Sequence, residues 1–177
     1  MNFLIEGPAG ARLRAVIAGA GFVEVGSGSG SDSGSGSLAL AVNVCSPPAE
    51  ATCPIDQVDE AMFDRLVASV LSPCFLRMQA QLPAVERAGG VIVNVVSSLA
   101  LEGRAGCAVI AACEHAIVGL TQSAARTFAG RARVNAVCVS PRFVGDEDAI
   151  ARAVLGVASM PGVSGQTLLI DGGFTAY

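Results

Sequence analysis

The sequence predicts an α/β chain built on a doubly wound parallel sheet that is pruned in its first half. Three observations carry that prediction. Short apolar runs alternate with longer stretches of helical periodicity. The runs are apolar at successive positions, as strands covered on both faces are. A glycine-bearing turn, Gly7 to Gly10, separates the first run from the first helical stretch. With 177 residues and 52% hydrophobic content, the chain is long enough for a sizeable core in a single domain, 1–177.

In chain order, a strand is expected near 2–6 and a helix near 11–20, joined by Gly7-Pro8-Ala9-Gly10-Ala11-Arg12. A dinucleotide-binding turn needs glycines so that backbone can approach the pyrophosphate and the helix N-terminus can face it. Here Ala11 and Leu13 stand four and six residues after Gly7, and a one-residue shift that puts Gly10 second still leaves Arg12 in the third place. The turn is degenerate, and no cofactor is expected on it. Arg12 reads as a solvated charge on the first helical turn, with contact to an anion as the alternative.

A second strand near 22–25 runs into the tract 26–37, GSGSGSDSGSGS. Alternating glycine and serine buries nothing and reads as a flexible connector. Twelve such residues span about 17–21 Å, enough for the roughly 20 Å hop to the next strand, near 38–44, without a helix. Such perfect alternation is also typical of engineered linkers, and on either reading the tract carries no function. Next come a long helix near 57–85, a strand near 90–96, a helix near 107–129, a strand near 132–138, a helix near 146–158 and a last strand near 166–170. Gly165 and Asp171-Gly172-Gly173 frame that last strand, where glycines allow a tight exit.

Three ordered segments resemble the short-chain dehydrogenase/reductase family. VIVNVVSSLALEGRAGCAVIAACEHAIVGL, from Val91 to Leu120, resembles its active-site region; AARTFAGRARVNAVCVSP, from Ala124 to Pro141, its next helix and strand; and SGQTLLIDGGFT, from Ser164 to Thr175, its carboxyl-terminal strand. Upstream, DEAMFDRLVASVLSPCF resembles the helix that carries a structural and catalytic asparagine. The resemblance implies a Rossmann-like sheet with its chemistry removed. Ser97 is in register with the family serine, but the tyrosine and lysine positions read Ile110 and Glu114, the asparagine position reads Val70, and a proline-glycine pair reads Val139-Ser140. Hydride transfer to or from a carbonyl needs a proton donor, and a tyrosine serves because a lysine ammonium lowers its pKa. Isoleucine has no proton to give, and a carboxylate at 114 would raise the pKa of any nearby phenol. Ser97 is therefore vestigial, a serine at a strand end that satisfies loop backbone groups. Asp171 is structural by the same resemblance.

Composition narrows the partners. A net charge of −4 argues against nucleic acid, which needs a basic footprint. No continuous apolar run reaches membrane-spanning length, and MNFLIEGPAG lacks a basic region followed by a hydrophobic stretch, so neither a membrane helix nor a secretory signal is expected. The six cysteines, none in a C-x-x-C, read as small buried hydrophobes in a reducing cytoplasm, with no metal expected. His115 sits mid-helix with no partner legible in the sequence. A mean hydropathy of +0.58 leaves apolar surface to be covered. Helix 107–129 is apolar around most of its circumference, so its outer side, through Ala108, Ala112 and Ala116, is expected to meet another subunit together with helix 57–85. Leu168 and Phe174 offer a second surface. The resemblance implies a catalytically silent subunit in a homo-oligomer, or in a hetero-oligomer with an active relative such as a dehydrogenase of acyl-CoA intermediates. The alternative is an NAD(P)-dependent oxidoreductase with a non-standard proton donor.

Overall fold

The structure, a computed structural model, describes residues 25–26, 39–45, 52–140 and 146–175. The expected strand 2–6, helix 11–20 and glycine turn (Gly7, Gly10, Arg12), and all but the first residue of the glycine-serine tract, lie outside them. The described strands are β1 (Val25–Gly26), β2 (Leu40–Val44), β3 (Val91–Ser97), β4 (Arg133–Val139) and β5 (Thr167–Ile170). They pair in parallel in the order β1-β2-β3-β4-β5. The helices are α1 (Glu60–Leu66), α2 (Ser72–Ala88), α3 (Ala108–Thr127) and α4 (Glu147–Ala158).

The period-2 alternation of β3 explains the two layers. Ile92 and Val96 join Ala41, Val134 and Cys138 under α2 and α3, while Val91, Val93 and Val95 join Val42, Val137 and Val139 under Ile150, Ala151 and Val154 of α4. Every residue of β3 is buried, as a strand covered on both faces requires. Asn94, alone among polar residues inside β3, donates to Thr121 Oγ1 at 2.9 Å, and its Oδ1 accepts from Asn43 Nδ2 at 3.1 Å. Partnering of this kind is what makes a buried amide tolerable.

Two expectations need correction. The single helix expected at 57–85 is two α-helices joined by a π turn, Val67–Leu71, and it continues past the exposed Pro83 to Ala88. Leu66, Val70, Cys74 and Met78 are all buried. A four-residue repeat drifts about 40° per step around a uniform α-helix, and the wider turn takes up part of that drift. Gly89, at φ 58°, ends the helix in the left-handed conformation. The second correction concerns α3, expected to be apolar around most of its circumference but polar at His115, Gln122 and Ser123 on its outer side. Val109, Ile110, Cys113, Ile117 and Val118 point inward, while Ala112, His115, Gly119, Gln122 and Ser123 are exposed and Ala108 and Ala116 half-buried. By length and hydropathy alone this 20-residue helix would suffice to cross a membrane; here it packs on the sheet with a charged residue type, Glu114, on its buried face.

Arg133, at the start of β4, anchors α4. Its guanidinium donates to Ala158 O at 2.6 Å and Met160 O at 3.0 Å, placing a cation on the carbonyls that a helix C-terminus leaves unpaired. Burial lowers its pKa from the usual arginine value.

Candidate functional site

β3 delivers Ser97 to the carboxyl end of the sheet, where open α/β sheets place their ligands. Its backbone is extended there and the chain turns at once into a 3-10 turn, Ser98–Ala100, whose Leu99 N–H donates to Ser97 Oγ at 3.2 Å. Gly106, at φ 75°, then leads into α3. Ile110 and Glu114, one turn apart, both lie on the buried side of that helix, Ile110 3% exposed and Glu114 fully buried.

The structure brings Ser97 and Glu114 together. Ser97 Oγ donates to Glu114 Oε2 in a short hydrogen bond, and the Ser97 backbone N–H donates to Glu114 Oε1 at 3.3 Å. Burial pushes the carboxyl from 4.5 up to about 7, against the lowering effect of the two Ser97 hydrogen bonds. Burial also drives the Cys138 thiol up to about 12, with the Glu114 charge adding to it. The arrangement is closed. The single Ser97 proton goes to the carboxylate, and Ser97 Oγ accepts from the turn, so no Ser97 donor remains for a substrate carbonyl.

Val70, at the asparagine position, is 1% exposed and falls within the π turn. The described residues at this end do not fit a nicotinamide dinucleotide. Glu114 presents a carboxyl, turned inward, where an ammonium would serve; Ser140 N–H is committed to Ile170 O at 2.9 Å. Asp171 accepts from Thr175 Oγ1 at 2.6 Å, Thr175 N at 2.8 Å and Gly173 N at 2.7 Å. These bonds, the Thr175 hydroxyl first, hold its carboxyl below the usual range and close the carboxyl-terminal turn. His115 is exposed on α3, and Leu168 and Phe174 are exposed at 42% and 58%. A wide cleft of about 1260 Å³, lined by Gln122, Arg126, Arg133 and Gln166 among others, opens at the amino ends of β4 and β5, opposite Ser97. It is remote from the family's chemistry.

Sequence reasoning missed two constellations. One is the Ser97–Glu114 pair itself, whose members lie 17 positions apart. The other joins Cys45 and Arg77: Arg77 Nη2 donates to Val44 O at 3.2 Å and stands 4.0 Å from Cys45 Sγ. The only signal in the sequence was an arginine three residues after Cys74 on an otherwise buried helical stripe.

The family model described as short chain dehydrogenase matches residues 35–148. The chain belongs to the short-chain dehydrogenase family. Among curated members, short-chain dehydrogenase/reductase ABA4 of Pyricularia oryzae is 40% identical over 85 residues, covering 48% of this chain and 31% of that one. The 3beta-hydroxysteroid dehydrogenase 2 of Eggerthella lenta is 30% identical over 157 residues, covering 70% of this chain and 60% of that one. These matches thus span about a third and three-fifths of the two short-chain dehydrogenases. Levodione reductase shares the fold, with a TM-score of 0.71 at 22% identity over 80% of this chain and 68% of that one.

Proposed function

We propose that this short-chain dehydrogenase family member is a catalytically silent subunit, a structural or regulatory partner in a homo-oligomer or in a hetero-oligomer with an active relative. The observation that carries the reading is the closed Ser97–Glu114 pair beside Ile110. The family serine gives its proton to a buried carboxylate, and the family tyrosine position has no proton to give. Ala108, Ala112 and Ala116 supply a small-residue face on which a second helix pair can approach, and the six cysteines, none in a disulfide and all but the half-buried Cys53 buried, suit the cytoplasm. Calorimetric titration of the purified chain with NAD and NADP tests the reading. Expected is no saturable binding; a Kd tighter than about 100 μM, near −5.5 kcal/mol, overturns it.

A second reading is favoured by one observation. A carboxyl titrating at about 7 has the pKa of a general acid at neutral pH. On that reading Glu114 replaces the tyrosine and passes its proton through Ser97 Oγ in an NAD(P)-dependent oxidoreductase; the curated relatives are named as dehydrogenases. Turnover of a secondary alcohol that Glu114→Gln abolishes would establish it; the absence of turnover with a secondary-alcohol panel rejects it.

A further inference from the structure

The cleft at the amino ends of β4 and β5 takes one wall from the last turns of α3 and the other from the loop 161–166 that leads into β5. Gln122 and Ser123 precede Arg126 by four and three positions and so share its face of α3, where all three are exposed. The facing loop is pinned to β4. Gly165 N–H donates to Val134 O at 2.7 Å, Gln166 N–H to Asn135 Oδ1 at 3.0 Å and Asn135 Nδ2 to Val163 O at 2.9 Å. Gly165, at φ 77°, brings this loop so near α3 that a Cβ there would stand 3.3 Å from Ala125 Cβ. The recess is therefore pre-formed, as small-molecule sites usually are.

Its charge is one-sided. Three of the chain's eleven basic residues, Arg126, Arg131 and Arg133, line it, and among the described residues no aspartate or glutamate does, in a chain with 15 acidic residues and a net charge of −4. Two of the three arginines are occupied. Arg133 holds the carbonyls at the end of α4, and Arg131 pairs with Glu86, donates to Thr127 O at 2.9 Å and lies 5.0 Å over the Phe128 ring. The Arg126 guanidinium has neither a hydrogen bond nor an ion pair to any described residue. Its spare N–H donors stand with the side-chain donors of Gln122, Ser123 and Gln166 in a recess whose walls concentrate the positive field.

We propose that this cleft binds a small organic phosphate, with Arg126 as the main contact to its phosphate group. A phosphate ester brings close to two negative charges and three acceptor oxygens, which suits a free guanidinium flanked by amide and hydroxyl donors better than the two oxygens and single charge of a carboxylate. A volume of about 1260 Å³ far exceeds a bare phosphate ion, and Ala125, Ala129 and Pro161 offer apolar lining to an organic body. The cleft opens at the opposite end of the sheet from Ser97, so the proposal is independent of the reading of Ser97 and Glu114.

The test uses the full chain, labelled with nitrogen-15 and titrated with phenyl phosphate, inorganic phosphate, benzoate and phenol while the amide signals of Gly119, Gly130 and Gly162, all on the cleft, are followed by NMR. Expected are saturable shifts with phenyl phosphate, half-complete at about 1 mM or below, weaker binding of inorganic phosphate and benzoate, and none of phenol. Arg126→Gln should weaken phenyl phosphate binding roughly tenfold. Arg104→Gln, at an exposed arginine in the loop before α3, should leave it unchanged. No saturable shift, shifts confined to residues away from the cleft, benzoate or phenol bound as tightly as phenyl phosphate, or equal affinity in the two variants overturns the proposal. Arg126 has no described partner to lose, and a variant spectrum that overlays the wild type away from the cleft verifies that its fold is intact.

Discussion

Ser97 and Glu114 satisfy each other: the serine at the end of β3 gives both its hydroxyl and its backbone N–H to one carboxyl on α3. This ties strand to helix at the position where an active relative would hold a proton donor. Burial of that carboxyl, only partly offset by the two Ser97 hydrogen bonds, gives the chain a pH-dependent stability with a definite sign.

Glu114 ionises at about 7 in the folded chain against an ordinary 4.5. Its contribution is full below pH 4.5, where both states hold the proton. It is lost as pH rises toward 7, because the unfolded chain ionises first, and it is level above that. The 2.5-unit gap corresponds to about 3 kcal/mol. Urea unfolding of wild type and Glu114→Gln, compared at pH 4.5 and pH 8, should show wild type losing about that much relative to the variant. An unchanged difference contradicts the raised ionisation.

Ser97→Ala removes a hydrogen bond that favours the ionised carboxyl. The Glu114 titration should move further up, visible in carbon-13 NMR of its carboxyl, and stability at neutral pH should fall by about 1–3 kcal/mol. A titration that moves down, or stays put, would mean that the hydroxyl does not hold the carboxylate.

Ile110→Tyr with Glu114→Lys should not restore dehydrogenase activity. The double change supplies the missing acid and ammonium but leaves Val70, Ser140 and the turn at Gly7, Gly10 and Arg12 as they are. Nicotinamide absorbance with secondary alcohols and 3-hydroxyacyl thioesters is the readout, and clear turnover would prove that turn competent.

Assembly through the outer face of α3 predicts that Ala112→Asp, and separately Ala116→Asp, lower the mass measured by light scattering, since an unpaired charge at an interface core is heavily penalised. A monomeric wild type at micromolar concentration, with no partner subunit present, removes the argument. An oligomer unaffected by either variant would direct attention to Leu168 and Phe174.

Much of the fold was legible because strand signals are local. The expected strands 38–44, 90–96, 132–138 and 166–170 fall within two residues of β2 to β5, since unbroken valine-rich runs bounded by glycine, proline or charge leave few alternatives. The helix 57–85 was harder: nothing in VASVL distinguishes a π turn from a regular one. At the site, the substitutions at 110 and 114 could be read by register alone. That Glu114 would turn inward to Ser97 could not, because it depends on how α3 crosses the end of β3. The Cys45–Arg77 contact was hidden for the same reason, being a product of β2 meeting α2 in space.

The wide turn at Val67–Leu71 makes the long helix a matter of phase. Excising one residue from a regular helix swings everything downstream by about 100°, but here the tighter winding of the remaining residues would offset most of that swing. Cys74 and Met78 would stay close to the sheet. The wide turn is therefore the place in this helix where the loss of one codon is best absorbed, and deletion of Ala68 should cost less stability than deletion of a residue within the regular stretch Ser72–Ala88.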